Sequence, residues 1–503
     1  MHRFVRLVLP SVLVLGMVSW APPAGASHPA ADHENMDILF NSQNSTNAIN
    51  SDLAFWGDAA FAGNYNGFRI FDISDPSSPT LVTDFPCDGP QNDVSVWDRD
   101  GDGQADILFL SVDAVMEGDE CGAARAPALG PFDPADWEGI RIFDVSDPTA
   151  PVALDMLYQD CGSHTHTLVP DPDNNRVLLY NSSYSLRPGP TCGPVFGPAA
   201  GRDPEHGVIQ VSEVSWDPAD PLGPVTAAEI AEPPIDYPGD PDNSFDPAEH
   251  GLPPGFDRLR ACHDIGVHLG IGMAVGACAE QTQLWRLGPD LIPDTANPVW
   301  VFDDSEDLNG ATGDPADQEV AVDFWHTARF TWDGKYVQAD DESFGDGCPP
   351  VTEAIDADTG RTHILRTSTG ERMSLFMIPR TEPNAYCSMH QGNMIATPGK
   401  YLSVNAWYMG GVQILDFTAV KNPKEVAFFD FNPDGATGSD NWAHYWYENA
   451  NRRPSAPIIT YGQDGVHNPA TGRGFEVFAA ALKGVNRVGV DHMNPQTIEF
   501  TIP

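Results

Sequence analysis

Positive charge is what this sequence has least of. Five of its 503 residues are lysine, and Lys plus Arg number 26 against 72 Asp plus Glu, a formal net charge of −46. A surface that acidic repels phosphate backbones and anionic lipid, which excludes nucleic acid and lipid headgroups as direct partners. It leaves two readings, a solvated acidic shell and a chain that binds cations. Apolar runs are also scarce. The one long run, Leu7 to Trp20, follows Arg3 and Arg6 and precedes the small residues Ala24, Gly25 and Ala26. That order is the pattern of an export signal. It predicts a signal peptide over residues 1–26 with cleavage near Ala26, then a disordered mature N-terminus over 27–35. A secreted or cell-surface location follows. No later stretch reaches the roughly eighteen apolar residues of a membrane span.

Several reactive motifs are missing. There is no Gly-x-Ser-x-Gly elbow, no phosphate-cradling loop and no His-Glu-x-x-His pair, which removes the commonest hydrolase, nucleotide and zinc-protease signatures. No Cys-x-x-Cys pair exists, which argues against a cysteine zinc site. The eight cysteines of an exported chain then read as disulfides. Cys87, Cys161, Cys262 and Cys387 each precede a candidate strand, and Cys121, Cys192, Cys278 and Cys348 each follow one. Sequential pairing is the expectation: Cys87 with Cys121, Cys161 with Cys192, Cys262 with Cys278, Cys348 with Cys387. Other connectivities remain open.

What the chain does have is a repeated phrase. "GFRIFDISDPSSPTLV" starts at Gly67 and returns as "GIRIFDVSDPTAPVAL" at Gly139. Weaker copies start at Gly207, Thr282, Met373, Gly411 and Gly474. In each, a glycine leads an alternating strand. In the clear copies a Ser-Asp-Pro turn breaks it, because Asp accepts from the following amides and Pro presets the turn. Two strands precede the phrase and one follows it. Seven units of this kind without helical periodicity predict an all-β fold: a single seven-bladed β-propeller of four-stranded blades over residues 36–503, expected to be a monomer. "MDILFNSQN" and the tail "QTIEFTIP" are rival candidates for the outer strand that closes blade seven. Two Pro-rich insertions, Tyr184–Arg202 and Glu232–Arg260, interrupt the pattern.

The phrases "RIFDISDPSSP" and "RIFDVSDPTAP" resemble the LVIVD repeat of secreted and cell-surface bacterial proteins. The resemblance implies a propeller and says little about activity. The copies at Thr282 and Met373 lack the Ser-Asp-Pro turn, which leaves blades four and five the least clearly delimited.

Two groups of residues carry candidate chemistry. Asp98, Asp100, Asp102, Gln104 and Asp106 set hard oxygen donors at alternate positions around Gly101 and Gly103, the requirement of a Ca²⁺ loop. Gln104 would offer its backbone carbonyl. The loop falls between two strands, so a bound Ca²⁺ would pin a hairpin, and the alternative is an ion-free Asp-Gly turn. The second group is His166, His263, His326, His390 and His444, which recur near the start of the first strand in blades three to seven. Asp52 and Asp93 occupy the same phase in blades one and two. First strands line the channel of a propeller, so these imidazoles would ring its mouth and suit a transition metal such as Fe, Cu or Zn. The alternative is a duplicated structural histidine that hydrogen-bonds within its own blade. His164 and His268 stand outside the phase. Trp325, Trp332, Trp407, Trp442 and Trp446 lie close to it, either as mouth walls or as packing between blades.

These readings predict a calcium-stabilised, exported propeller that binds a ligand at its mouth through a histidine-held metal, with metal-dependent oxidation as the favoured reaction. The rival reading is a non-catalytic surface module. The corresponding partners are a small molecule or an envelope or surface protein.

Overall fold

A computed structural model of the chain describes residues 32–43, 48–126, 133–182, 207–235, 261–278, 281–303, 322, 324–342, 360–379, 388–430, 441–451, 457–464 and 474–503. The signal segment, Cys192, Cys348 and Cys387, and nearly all of both Pro-rich insertions lie outside them. Among the described residues the only helices are single 3₁₀ turns, such as Pro172–Asn174 and Leu269–Ile271. No described helix is long and apolar enough to cross a membrane.

The strands form seven antiparallel sheets, each with a four-stranded blade. The innermost strands, in blade order, are Asn50–Trp56, Gln91–Trp97, His166–Asp171, Ile265–His268, Trp325–Phe330, Ser388–Ile395 and Asn441–Trp446. All seven are buried along their whole length. They are therefore not alternating in exposure: one face packs on the preceding blade and the other on the following one. Fourth strands such as Thr80–Pro86 and Val152–Tyr158 are half exposed, as outer edges should be.

The repeated phrase supplies the third strands, Gly67–Asp72 and Trp137–Asp144. Its leading glycine has a steric cause. Gly67 and Gly139 adopt φ of +142° and +144°, and a Cβ on either would stand 1.9 or 2.2 Å from the carbonyl oxygen of Phe85 or Leu157. Only glycine lets the fourth strand pass that close. The Ser-Asp-Pro turn works as its chemistry requires. Asp72 accepts from the Ser74 amide at 2.7 Å and Asp75 from the Ser77 amide at 3.0 Å; Asp144 and Asp147 repeat the pattern with Ser146 and Thr149. The arginine of the phrase is buried. Arg69 donates to the Ser42 carbonyl and the Asn50 side chain, and Arg141 to the Asp88 carbonyl. Blade five departs from the sequence expectation. Its third strand is Thr362–Arg366, and the stretch at Met373 belongs to the fourth, Arg372–Phe376.

The ring closes through the N-terminus. Met36–Gln43 pairs antiparallel with Gly474–Ala480 as the outer strand of blade seven. Within the stretch expected to precede structure, Asp32–Glu34 pairs with Lys424–Asp430 at the edge of blade six. The C-terminal tail does something else. His492–Met493 pairs with the inner strand of blade one, and Thr497–Ile498 runs parallel to that of blade four. Between them Asn494 exchanges two hydrogen bonds with the Val96 backbone of blade two. Thr497 donates to the Leu168 carbonyl of blade three, and the Ile502 amide to the Trp332 carbonyl of blade five. The tail thus follows the ring round one end of the channel, bonded to five blades in turn.

Two expected disulfides are present, Cys87–Cys121 and Cys262–Cys278, closing separations of 34 and 16 residues. Loops of that size correspond to about 3–4 kcal/mol each in the chain-entropy account. Cys161 is also disulfide-bonded.

Candidate metal centre

The other end of the channel is where the inner strands begin, opposite the tail. In five of the seven inner strands the pairing register slips at that point. The slips fall between Asn50 and Leu53, Gln91 and Val94, Trp325 and Thr327, Met389 and Gly392, and Asn441 and Ala443. Each is a β-bulge, which admits one extra residue and re-aims its neighbours. The residues inside the bulges are Ser51 and Asp52, Asn92 and Asp93, His326, His390 and Gln391, and Trp442. Gln91 and Asn92 also take left-handed φ of 68° and 49° while almost fully buried. Backbone of that kind is costly and concentrates at functional sites.

Four imidazoles meet here. His263 and His326 have ring centroids 3.5 Å apart, His326 and His390 4.1 Å, and His164 and His263 4.6 Å. They come from blades three, four, five and six, and all are buried. Glu342, at the end of the second strand of blade five, approaches from the mouth. Its two carboxylate oxygens lie 3.7 Å from His326 Nε2 and 3.8 Å from His390 Nε2. Both separations are too long for hydrogen bonds. Donors held at about 2.1 Å by one transition ion stand roughly 3–4 Å from one another, which is the spacing seen.

The far sides of these rings are anchored. His390 Nδ1 lies 2.6 Å from the Trp442 carbonyl and so carries the proton, which leaves Nε2 as a lone pair facing Glu342. His326 Nδ1 meets Thr327 Oγ1 at 2.8 Å, and Thr327 passes its own proton to Asp264 Oδ2 at 3.1 Å. His263 Nδ1 faces Asp264 Oδ1 at 3.2 Å. Metal-binding histidines are commonly oriented this way, with the outer N–H on a carbonyl, hydroxyl or carboxylate. Burial holds the rings neutral, as metal ligation requires. His390 is pushed down to about 3, His326 well below the ordinary imidazole value and His263 below it, in each case first by desolvation and then by neighbouring imidazoles.

Asp264 is the hub beneath the rings. Burial opposes its ionisation, but donors at His263, Gln391 and Thr327 outweigh burial, and its carboxyl sits below the usual range. Asp52 and Asp93 stand in the corresponding bulges of blades one and two. Burial raises Asp52 to about 6 and Asp93 well above the ordinary value, and the two carboxyls are hydrogen-bonded to each other. A pair like this retains one proton between them. Phe324, Tyr408 and Trp442 pack against His263 and His390 and wall the cluster with aromatic rings.

Of the five histidines expected at the mouth, three converge: His263, His326 and His390. The other two do not join them. His166 lies one position past the turn into the channel; Ser95 at 2.6 Å and Ser111 at 2.7 Å engage its two nitrogens. His444 is two residues beyond the bulge of its strand, and Thr460 engages it at 2.5 Å. Burial lowers both to about 3. His444 therefore behaves as the within-blade structural histidine that was the alternative, whereas His166 bonds to two serines of the neighbouring blade two. His164, which stood outside the expected phase, joins the cluster and is fixed by Asp113 Oδ2 at 2.7 Å. Glu342, Asp113 and Gln391 carried no repeat signal in the sequence. Trp442 does line the cluster, whereas Trp325, Trp407 and Trp446 are packed fully inside the blades.

The acidic loop lies at the tail end of the ring. Donor oxygens of Asp98, Asp100 and Asp106 fall within 4.8 Å of one another. Asp98 accepts from the Gly101 and Gly103 amides at 2.6 and 2.8 Å, and Asp106 accepts from the Arg99 amide. Asp102 turns to the Gln104 amide instead, at 2.9 Å. Burial raises Asp98, and raises Asp106 to about 6.

The LVIVD repeat model matches residues 50–86 and 135–156, the two clear copies of the phrase. No curated protein matches the chain. Among solved structures, the computationally designed Ika8 protein is 10% identical, with 87% of this chain and 98% of that one covered and a TM-score of 0.41. The β-propeller domain of Cps50 (Swd1) from Myceliophteria thermophila is 10% identical over 86% and 98%, with a TM-score of 0.44. Sqt1 from Chaetomium thermophilum, solved bound to the N-terminus of ribosomal protein L10, is 12% identical over 85% and 86%, with a TM-score of 0.42. No inference rests on likeness this distant.

Proposed function

We propose that this propeller, which carries LVIVD repeats, is an exported metalloprotein that binds a small ligand through a transition metal at its mouth. One observation carries the reading: His326 Nε2 and His390 Nε2 face the two oxygens of Glu342 at ligand-to-ligand spacing. Two imidazoles and a carboxylate suit Fe, Cu, Zn or Ni and leave coordination positions open. Their neutral, anchored state and their aromatic wall favour binding of a small, uncharged molecule. A donor set of this type makes metal-dependent oxidation the favoured reaction. Support for export comes from the N-terminal apolar run and the disulfides. Ca²⁺ in the loop of Asp98, Asp100 and Asp106 would be structural, bracing the hairpin of blade two.

The test is metal analysis of untagged full-length protein after exchange against excess Mg²⁺. The expected result is stoichiometric transition metal that falls by one ion per chain in both His390→Ala and Glu342→Gln. A metal content equal to wild type in both variants would remove the site. The rival reading, a non-catalytic binding module, has its own support. The connections that leave the histidine end of the blades are the long ones, so that face offers the most chain to a partner.

A further inference from the structure

The cluster holds more donors than one ion uses. His326, Glu342 and His390 form one triad whose donor atoms lie within 4.8 Å of one another, and His263, Asp264 and His326 form a second by the same measure. The second triad is fully buried. His326 belongs to both, and its two nitrogens point to different sides. Nε2 faces Glu342, whereas Nδ1 faces Thr327 and, through it, Asp264.

We propose that the mouth holds two transition-metal ions, the second on His263 and Asp264, with the His326 ring between them. This rests on the metal reading above and extends it. Asp264 is prepared as a ligand. Gln391 at 2.6 Å and Thr327 at 3.1 Å fix its Oδ2, which leaves Oδ1 directed at His263 Nδ1. Ligating carboxylates are held in this way by hydrogen bonds to the oxygen that does not bind. The 3.2 Å between Oδ1 and Nδ1 is again the edge of a coordination polyhedron. With both ions bound, His263 would carry its proton on Nε2 instead of Nδ1, and the His326 ring would lie between the ions as imidazolate, its remaining N–H proton released to bulk water. The donors then divide evenly. One ion takes His390 Nε2, Glu342 and His326 Nε2; the other takes His263 Nδ1, Asp264 and His326 Nδ1. The ligand class for the second site is a borderline divalent ion, Cu²⁺ or Zn²⁺, because imidazole nitrogen outnumbers oxygen.

The experiment is Cu²⁺ loading of the untagged full chain, with metal counting and electron paramagnetic resonance on the same samples, and circular dichroism to show that each variant is folded. Wild type is expected to hold two Cu²⁺ per chain with a signal weakened by coupling between them. Asp264→Asn and Glu342→Gln should each hold one Cu²⁺ with a full, uncoupled signal. His263→Gln, which removes a proposed ligand of the second site alone, provides a second variant should Asp264→Asn fail to fold; it should likewise hold one Cu²⁺. One Cu²⁺ in wild type, lost with Glu342→Gln and kept with Asp264→Asn, would overturn the second site and leave the first intact. No stoichiometric Cu²⁺ or other transition metal in wild type would overturn both.

Discussion

Gln391 Nε2 donates to Asp264 Oδ2 at 2.6 Å, a bond between residues 127 positions apart that joins blade six to blade four past the head of blade five. Most contacts in a propeller run between neighbouring blades. This one crosses the channel and ties the mouth together beneath the imidazoles. Gln391→Leu removes a donor from a buried, ionised carboxylate. The expected cost is about 2 kcal/mol, read as a lower midpoint in urea with an unchanged slope. An unchanged midpoint would show that the bond contributes nothing to holding the mouth.

The structural histidines give the protein an acid limit. His444 is lowered to about 3 by burial, whereas in the unfolded chain it titrates near the ordinary imidazole value of about 6.5. Between those values the unfolded state binds a proton that the folded state refuses. Stability is therefore complete above about pH 6.5 and falls as the pH drops toward 3, by up to about 1.4 kcal/mol per pH unit for each such residue. His444→Gln keeps a polar group beside Thr460 and removes the titration. Its loss of stability between about pH 6.5 and pH 5 should be smaller than that of wild type. Parallel curves would refute a neutral His444.

Asn494 tests the tail end of the channel. It both donates to and accepts from the Val96 backbone. Asn494→Ala strands a buried amide and a buried carbonyl, at a cost of about 2–3 kcal/mol. A lower Tm is expected with metal content unchanged, because the tail and the histidines occupy opposite ends. Loss of metal would show that the two ends are coupled.

Calcium is tested apart from the histidines. EGTA should lower the Tm of wild type, since removing an ion that binds only the folded state destabilises it. Asp100→Ala should abolish that sensitivity. A Tm that EGTA leaves unchanged would identify the loop as a plain turn.

The blade count, the third strands other than that of blade five, and the Ser-Asp-Pro turns were legible because each rests on local chemistry repeated in sequence. The pairings Cys87–Cys121 and Cys262–Cys278 were legible for a similar reason: both link neighbouring strands of one repeat. The site was only half legible. Phase counting assumes one residue per strand position, and a bulge breaks that count. Hence His444 looked equivalent to His326 and His390, while Trp442 takes the bulge in blade seven. Glu342 escaped because it ends a second strand, where nothing recurs from blade to blade. The path of the tail escaped as well, since its bonds to blades one to five run largely through backbone and single side chains.

The tail has a consequence for the joints of the ring. Because one short segment is bonded in turn to blades one to five, it acts as a hoop, and losing it would loosen several joints at once rather than one.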